Sequence, residues 1–247
     1  MPYNSLLNTI KQTKMRKKYF FCILLVMMSM ILPANAQGYG MGEPISMSRW
    51  RDYQRRSYLS IRFGLNVPTL YYKGTGGLAQ TQSIARFNVG LVCGNKLGNG
   101  LPFYFEKGLL YTEKGAELEA TDETDRRVSH LKYLEIPFVI KYKIDTNVDD
   151  LTVQPFFGGF IAVGIAGRTK YYGTRTTRSS FGDDRYKRFD SGIRLGCGMA
   201  YQNFYFELAY DIGLFDISGK HYTDYHYDGF DGHIRTGNLS ASVGIEF

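Results

Sequence analysis

Apolar and polar residues take turns along most of this chain, with a period of two. At its end Leu239, Ala241, Val243, Ile245 and Phe247 alternate with Ser240, Ser242, Gly244 and Glu246. Such alternation predicts a strand with one greasy and one polar face. Seven earlier stretches repeat the pattern. Over 58–67, Leu59, Ile61, Phe63, Leu65 and Val67 alternate with Ser60, Arg62, Gly64 and Asn66. Over 86–94 the apolar set is Phe87, Val89, Leu91 and Cys93. Over 103–114 it is Phe103, Phe105, Leu109 and Tyr111, and Lys107 breaks the phase, either by snorkelling or through a bulge. Over 133–143 it is Leu134, Ile136, Phe138, Ile140 and Tyr142. The stretches 153–166, 189–201 and 204–214 complete a predicted set of eight, each long enough for the roughly 9–11 residues of a tilted membrane strand.

The connections alternate in length. Long ones, at 68–85, 115–132, 167–188 and 215–238, are separated by short ones at 95–100, 145–150 and Gln202-Asn203. Short turns at one end and long loops at the other predict an eight-stranded, antiparallel, up-and-down transmembrane β-barrel of an outer membrane. Both termini then lie on the periplasmic side and the long loops face outside. The last strand runs to a terminal Phe247, as a closing strand must when no edge may stay open in lipid. A soluble, lipocalin-like barrel would have the opposite polarity, with its apolar phase inside. Here the polar phase is rich in Gly, Ala and Ser, which fit a narrow lumen and are odd on a solvated exterior.

The start of the chain is different in kind. Lys11, Lys14, Arg16, Lys17 and Lys18 precede an uncharged apolar run from 20 to 32, and Ala34-Asn35-Ala36 follows. This predicts a signal peptide over 1–36, since 13 apolar residues are too few to cross a bilayer as a helix. Met15 offers a shorter start. Without the leader, 211 of the 247 residues remain, and the formal charge falls from +7 to +2 because five basic residues leave and no acidic ones. The high isoelectric point thus belongs mostly to the leader and gives no reason to expect nucleic acid as a partner. Residues 37–57 read as a polar periplasmic tail, and 58–247 as the barrel domain. With 20 Tyr and 17 Phe but a single Trp, the aromatic content suits strands and membrane interfaces.

Several stretches carry a resemblance. Tyr133-Leu-Glu-Ile-Pro137 with Lys141-Tyr142, Leu109-Leu-Tyr-Thr-Glu-Lys-Gly115, Asp190-Ser-Gly192 with Gly196-Cys-Gly198, and Glu207-Leu-Ala-Tyr-Asp-Ile-Gly213 resemble the PorT-type outer-membrane β-barrel family of Bacteroidota. The resemblance covers nearly all of 58–247. It implies a barrel and, through the member that names the family, a link to type IX secretion. It carries over no catalytic or binding residue.

Arg62, Glu106, Glu135, Lys141, Asp190, Arg194, Glu207, Asp211 and Glu246 fall on the inward phase. They could line a selective channel. They could instead be a salt-bridged plug, and an eight-stranded interior about wide enough for side chains alone favours the plug. His221, His226 and His233 share a loop with Asp224, Asp228 and Asp231, but their spacing fits no metal motif, so neither a metal nor another cofactor is expected. Ser129 and His130 are neighbours on a strand and point to opposite faces, so they cannot form a nucleophile–base pair, and no enzyme is expected. Cys93 and Cys197, on strands two and six, are expected to be unbonded. Arg175, Arg178 and Arg185 are candidate contacts to lipopolysaccharide phosphates. The expected partners are outer-membrane lipids, the barrel-assembly machinery during insertion, and an unidentified protein. Phe247 is the candidate assembly signal. The functional expectation is a non-enzymatic barrel with a packed lumen; the alternatives are a small-solute porin or an accessory component of type IX secretion.

Overall fold

The computed structural model describes residues 57–74, 77–80, 82–98, 102–118, 127–146, 148, 150–172, 176–182, 185–219 and 230–247. The expected leader and residues 37–56 of the expected tail lie outside them. Ser57, expected in the tail, is already strand.

Eight long strands form the wall: β1 (Ser57–Gly74), β2 (Arg86–Lys96), β3 (Phe103–Leu118), β4 (Arg127–Tyr142), β5 (Leu151–Tyr171), β6 (Phe189–Tyr201), β7 (Phe204–Gly213) and β8 (Phe230–Glu246). Each pairs antiparallel with the next, and β8 pairs with β1, so the sheet closes on itself as an up-and-down barrel. At the seam Phe63 faces Val243 and Leu65 faces Ala241. Phe247 and Leu59 exchange two backbone hydrogen bonds, of 2.7 and 3.2 Å. A closed ring leaves no row of unpaired backbone groups, which is the condition for crossing hydrocarbon with strands. The eight-stranded, all-β expectation is the architecture observed.

Large apolar side chains point outward. Phe157 is 62 % exposed and Val243 56 %, values that only a wall facing hydrocarbon tolerates in such numbers. On β3 the register with β2 runs without a shift from Asn88↔Thr112 to Lys96↔Tyr104. No bulge therefore reverses the phase, and Lys107 stays on the outward face between Cys93 and Phe138.

The wall is taller than the alternation predicted. Residues 68–74, 115–118, 127–132, 167–171 and 230–238, expected in loops, are strand. Their outward positions include His130, Lys132, Arg168, Lys170 and Arg235, all at least partly exposed. Beyond the hydrocarbon the outer face meets water, so the apolar half of the pattern disappears while backbone pairing continues. The short turns are tight by comparison. Gln202, one of the two residues between β6 and β7, and Asp150, before β5, both take positive φ, at 54° and 61°.

Candidate functional site

The inward faces of five strands, β1, β3, β4, β6 and β7, meet in one ion-pair network, and β8 adds hydrogen bonds to it. Arg62 of β1 grips Glu106 of β3 with both terminal nitrogens, at 2.9 and 2.5 Å, and reaches Glu207 of β7 at 2.9 Å. Lys141 of β4 stands 2.8 Å from Glu106 and 3.6 Å from Glu207. The Tyr58 hydroxyl donates to Glu106 at 2.6 Å, and the Tyr205 hydroxyl donates to Glu207 at 2.9 Å. Arg194 of β6 takes the other oxygen of Glu207 at 3.1 Å, and pairs with Glu135 at 3.2 Å and Asp211 at 3.0 Å. Lys114 of β3 continues the chain to Glu135 at 3.0 Å and Asp190 at 3.4 Å. Thr236 and Asn238 of β8 donate to Asp190 and Asp211.

Four cations thus face five carboxylates, and all nine side chains are at most 6 % exposed. Pairing on that scale offsets part of the desolvation of these charges. Aromatic rings fill the gaps: the Arg62 guanidinium and the Lys141 ammonium each lie 4.3 Å from the Tyr205 ring centre, and Lys114 lies 4.4 Å from that of Phe160. Two glycines make room for this packing. A Cβ at Gly94 would overlap the Tyr58 ring, and one at Gly198 the Tyr205 hydroxyl.

Toward the long loops the lumen turns apolar. Leu70, Leu131, Tyr133, Phe160, Ile234, Phe181, Tyr186 and Ile217 belong to one buried cluster. The last three come from the loops after β5 and β7, folded into the mouth. Phe181 meets the Tyr133 ring edge-on at 5.8 Å and lies against Gly164, where any Cβ would strike it. Backbone bonds fix the stopper: Gly164 N donates to Arg188 O at 2.6 Å, Lys187 N to Ile217 O at 2.7 Å, and Ile217 N to Ile234 O at 2.9 Å. The Asp216 carboxylate accepts from the backbone N–H groups of Ser218 and Ile234, at 3.0 and 2.9 Å. Partial burial pushes this acid up, but those donors, the Ser218 hydroxyl and the Lys187 ammonium outweigh it and hold its pKa at about 2. The connection expected over 167–188 is thus partly strand: β5 runs on to Tyr171 and Thr176–Ser179 pairs with it, while Phe181 and Tyr186 are buried under the rim.

The remaining candidates fall as follows. Glu246 is on the inward phase but stands apart from the network, at the short-turn rim, 3.8 Å from Lys143. Ser129 is buried, with its hydroxyl 3.3 Å from Thr169 and 3.5 Å from Tyr186, whereas His130 lies 3.3 Å from Arg86. Cys93 and Cys197 are free. Arg178 is exposed, and Arg185 donates to the Ser179 carbonyl. Arg175, His221, His226 and Asp224, Asp228 and Asp231 lie outside the residues whose side chains are described. His233 is exposed, 3.5 Å from Asp216. Among the described residues no group of three His, Cys, Asp or Glu could hold a metal. Sequence reasoning missed Lys114, which continues the inward phase of Glu106 and Thr112 but sits where the strand was expected to end. It also missed Phe181, Tyr186 and Ile217, whose loops carry no period.

Residues 35–219 match a family model described as Outer membrane protein beta-barrel domain. No curated protein matches the sequence. Among solved structures, Ail, the attachment invasion locus protein of Yersinia pestis, is 14 % identical with a TM-score of 0.40, over 78 % of this chain and 99 % of that one. Neisserial surface protein A is 15 % identical with a TM-score of 0.40, over 77 % and 97 %. OprG from Pseudomonas aeruginosa is 11 % identical with a TM-score of 0.42, over 78 % and 96 %. The closed ring rests on the strand register and not on these likenesses.

Proposed function

The chain belongs to the outer membrane protein β-barrel domain family, and from that premise we propose that it is a non-conducting, non-enzymatic barrel acting through its outer end. The observation that carries this reading is the filled lumen. Among the described residues, ion pairs linking β1, β3, β4, β6 and β7 span the interior, and a buried apolar cluster lies beyond them. In this reading the long loops face outside, both termini are periplasmic, and the outer end meets envelope lipids and a protein partner. The orientation is supported by the short turns lying at the same end as Phe247. The finer placing in the PorT-type branch of Bacteroidota is supported by the stretches around Glu135, Asp190 and Glu207, which here supply the lumen charges.

Purified protein in planar bilayers tests the reading. The expected result is no steady conductance. A stable, ion-selective current overturns the sealed lumen and makes the chain a small-solute pore. Deletion of the gene with assay of secreted proteins separates an accessory role in type IX secretion, where export stops, from an independent one, where it continues.

A further inference from the structure

The wall changes character within a few residues on neighbouring strands. On β5 the outward series Phe157, Ile161, Val163, Ile165 gives way to Arg168 and Lys170. On β4 the series Ile140, Phe138, Ile136, Leu134 gives way to Lys132 and His130. β2 begins at Arg86, next to the outward Phe87. The register sets Arg168 directly opposite His130, and Lys132 opposite Ala166. Arg86 closes on the same place, its Nη2 3.3 Å from His130 Nε2. The Nε of Arg86 is buried and has no hydrogen-bond partner among the described residues. Against the cations Arg86, Lys132, Arg168 and Lys170 stand two carboxylates among the described residues facing this patch. Glu113 is 3.3 Å from Lys132 and accepts from Tyr111, and Glu117 of β3 lies opposite Val128. Just below, the rings of Phe87 and Tyr111 pack at 5.6 Å. Aromatic rings sit at headgroup level in membrane barrels, so the cations lie at the depth of headgroup phosphates.

We propose that Arg86, His130, Arg168 and Lys170 form a binding site for a phosphate group of an outer-leaflet glycolipid, whose acyl chains lie along Ile165, Leu134 and Phe87. The placing in the outer leaflet rests on the orientation given under the proposed function. The chemistry has two halves. Guanidinium forks and an ammonium match phosphate oxygens. The apolar strip directly beneath takes the chains, which a free phosphate does not have. Both halves meet where Lys132 and His130 on β4, and Arg168 and Lys170 on β5, follow the outward apolar series on adjoining strands.

The test uses the folded full chain in mild detergent and native mass spectrometry with diphosphoryl lipid A, its dephosphorylated form, phosphatidylglycerol and inorganic phosphate. Diphosphoryl lipid A should be retained, and the Arg168→Gln/Lys170→Gln protein should lose retention on the order of tenfold. Arg86→Gln should weaken it in the same direction, and Lys96→Gln at the opposite rim should leave it unchanged. Heat-modifiability on gels checks that each variant is folded. Equal retention by the double variant and the wild type, or equal retention of dephosphorylated lipid A, overturns the proposal. Displacement by millimolar inorganic phosphate shows a phosphate site without the glycolipid and overturns its acyl half. Arg178→Cys on intact cells separates the two readings. Labelling by an impermeant maleimide supports the outward orientation, and labelling only after permeabilisation overturns it and with it the outer-leaflet source. Labelled cells combined with unaffected retention sink the phosphate site alone.

Discussion

Arg62 and Glu207 meet across the lumen at 2.9 Å, although 145 residues separate them and β8 stands between their strands. The other Glu207 oxygen holds Arg194 at 3.1 Å. One carboxylate therefore ties three strands by a route independent of the backbone ladder. Removing it leaves two guanidinium groups and Lys141 short of a counter-charge. Glu207→Ala should destabilise the barrel by about 3–5 kcal/mol, the usual result of breaking a buried pair. Thermal unfolding followed on gels measures this, with Lys96→Ala as the reference. Equal melting of the two proteins would mean that the lumen charges are solvated and the packed reading is wrong.

In the proposed reading the stopper and the network are two seals in series. Phe181→Ala deletes the ring set against Tyr133 and Gly164, at a cost of about 3–5 kcal/mol if the mouth cannot collapse. The loop after β5 should then be cut faster by added protease. Conductance should stay absent, because the ion pairs below remain. A current from Phe181→Ala alone would show that the stopper is the only seal.

The reach of the sequence had a physical boundary. Hydrocarbon writes a period of two on any wall that faces it, so Leu59 to Val67 or Phe204 to Ile212 could be read directly. Past the apolar band, Arg168 and Lys170 continue the same strand with no apolar partner in the pattern, and the strand looked like loop. Phe181, Tyr186 and Ile217 were illegible for another reason. They pack by folding back, and folding back leaves no period. Lys114 was hidden between these regimes. The inward charges were visible as a set, but the phase alone could not show that Glu246 stays at the rim with Lys143 while Glu207 joins both halves of the network.

Lys107 is the exception on the outward face. It lies four residues in from Phe103, which at the rise of a tilted strand is roughly 10 Å from the short-turn rim. Its side chain can carry the ammonium most of that distance toward the headgroups. Lys107→Leu should therefore be neutral or stabilising, by about 0–2 kcal/mol. Chemical unfolding in lipid vesicles measures it. Clear destabilisation would point to an anionic partner for Lys107 in the membrane.

Asp216 makes the stopper sensitive to acid. Its folded pKa, about 2, lies below the ordinary value near 3.9. A depressed carboxylate contributes stability above its unfolded pKa and loses it as pH falls through the folded one. Protection of the Ile234 and Ser218 amides from hydrogen exchange should thus hold at neutral pH and decline from about pH 4 toward pH 2. Asp216→Asn should lower that protection at pH 7 and remove the acid step. An unchanged acid step in that variant would assign it to another group.

Phe247 joins two separable contributions to closure. Its backbone completes the seam through both hydrogen bonds with Leu59, and its ring is 67 % exposed at the short-turn end. Deleting the residue removes both the backbone pair and the ring. Phe247→Ala keeps the backbone pair and loses only the ring, and Phe247→Tyr keeps an aromatic ring suited to the interface. If the ring matters for insertion, the folded population in outer membranes should fall for the deletion and for Phe247→Ala, and hold for Phe247→Tyr. If the backbone pair matters, the deletion alone should fall. Quantitative immunoblots of unheated against heated membranes distinguish these outcomes. Wild-type levels from the deletion would show that the seam is complete without its last residue.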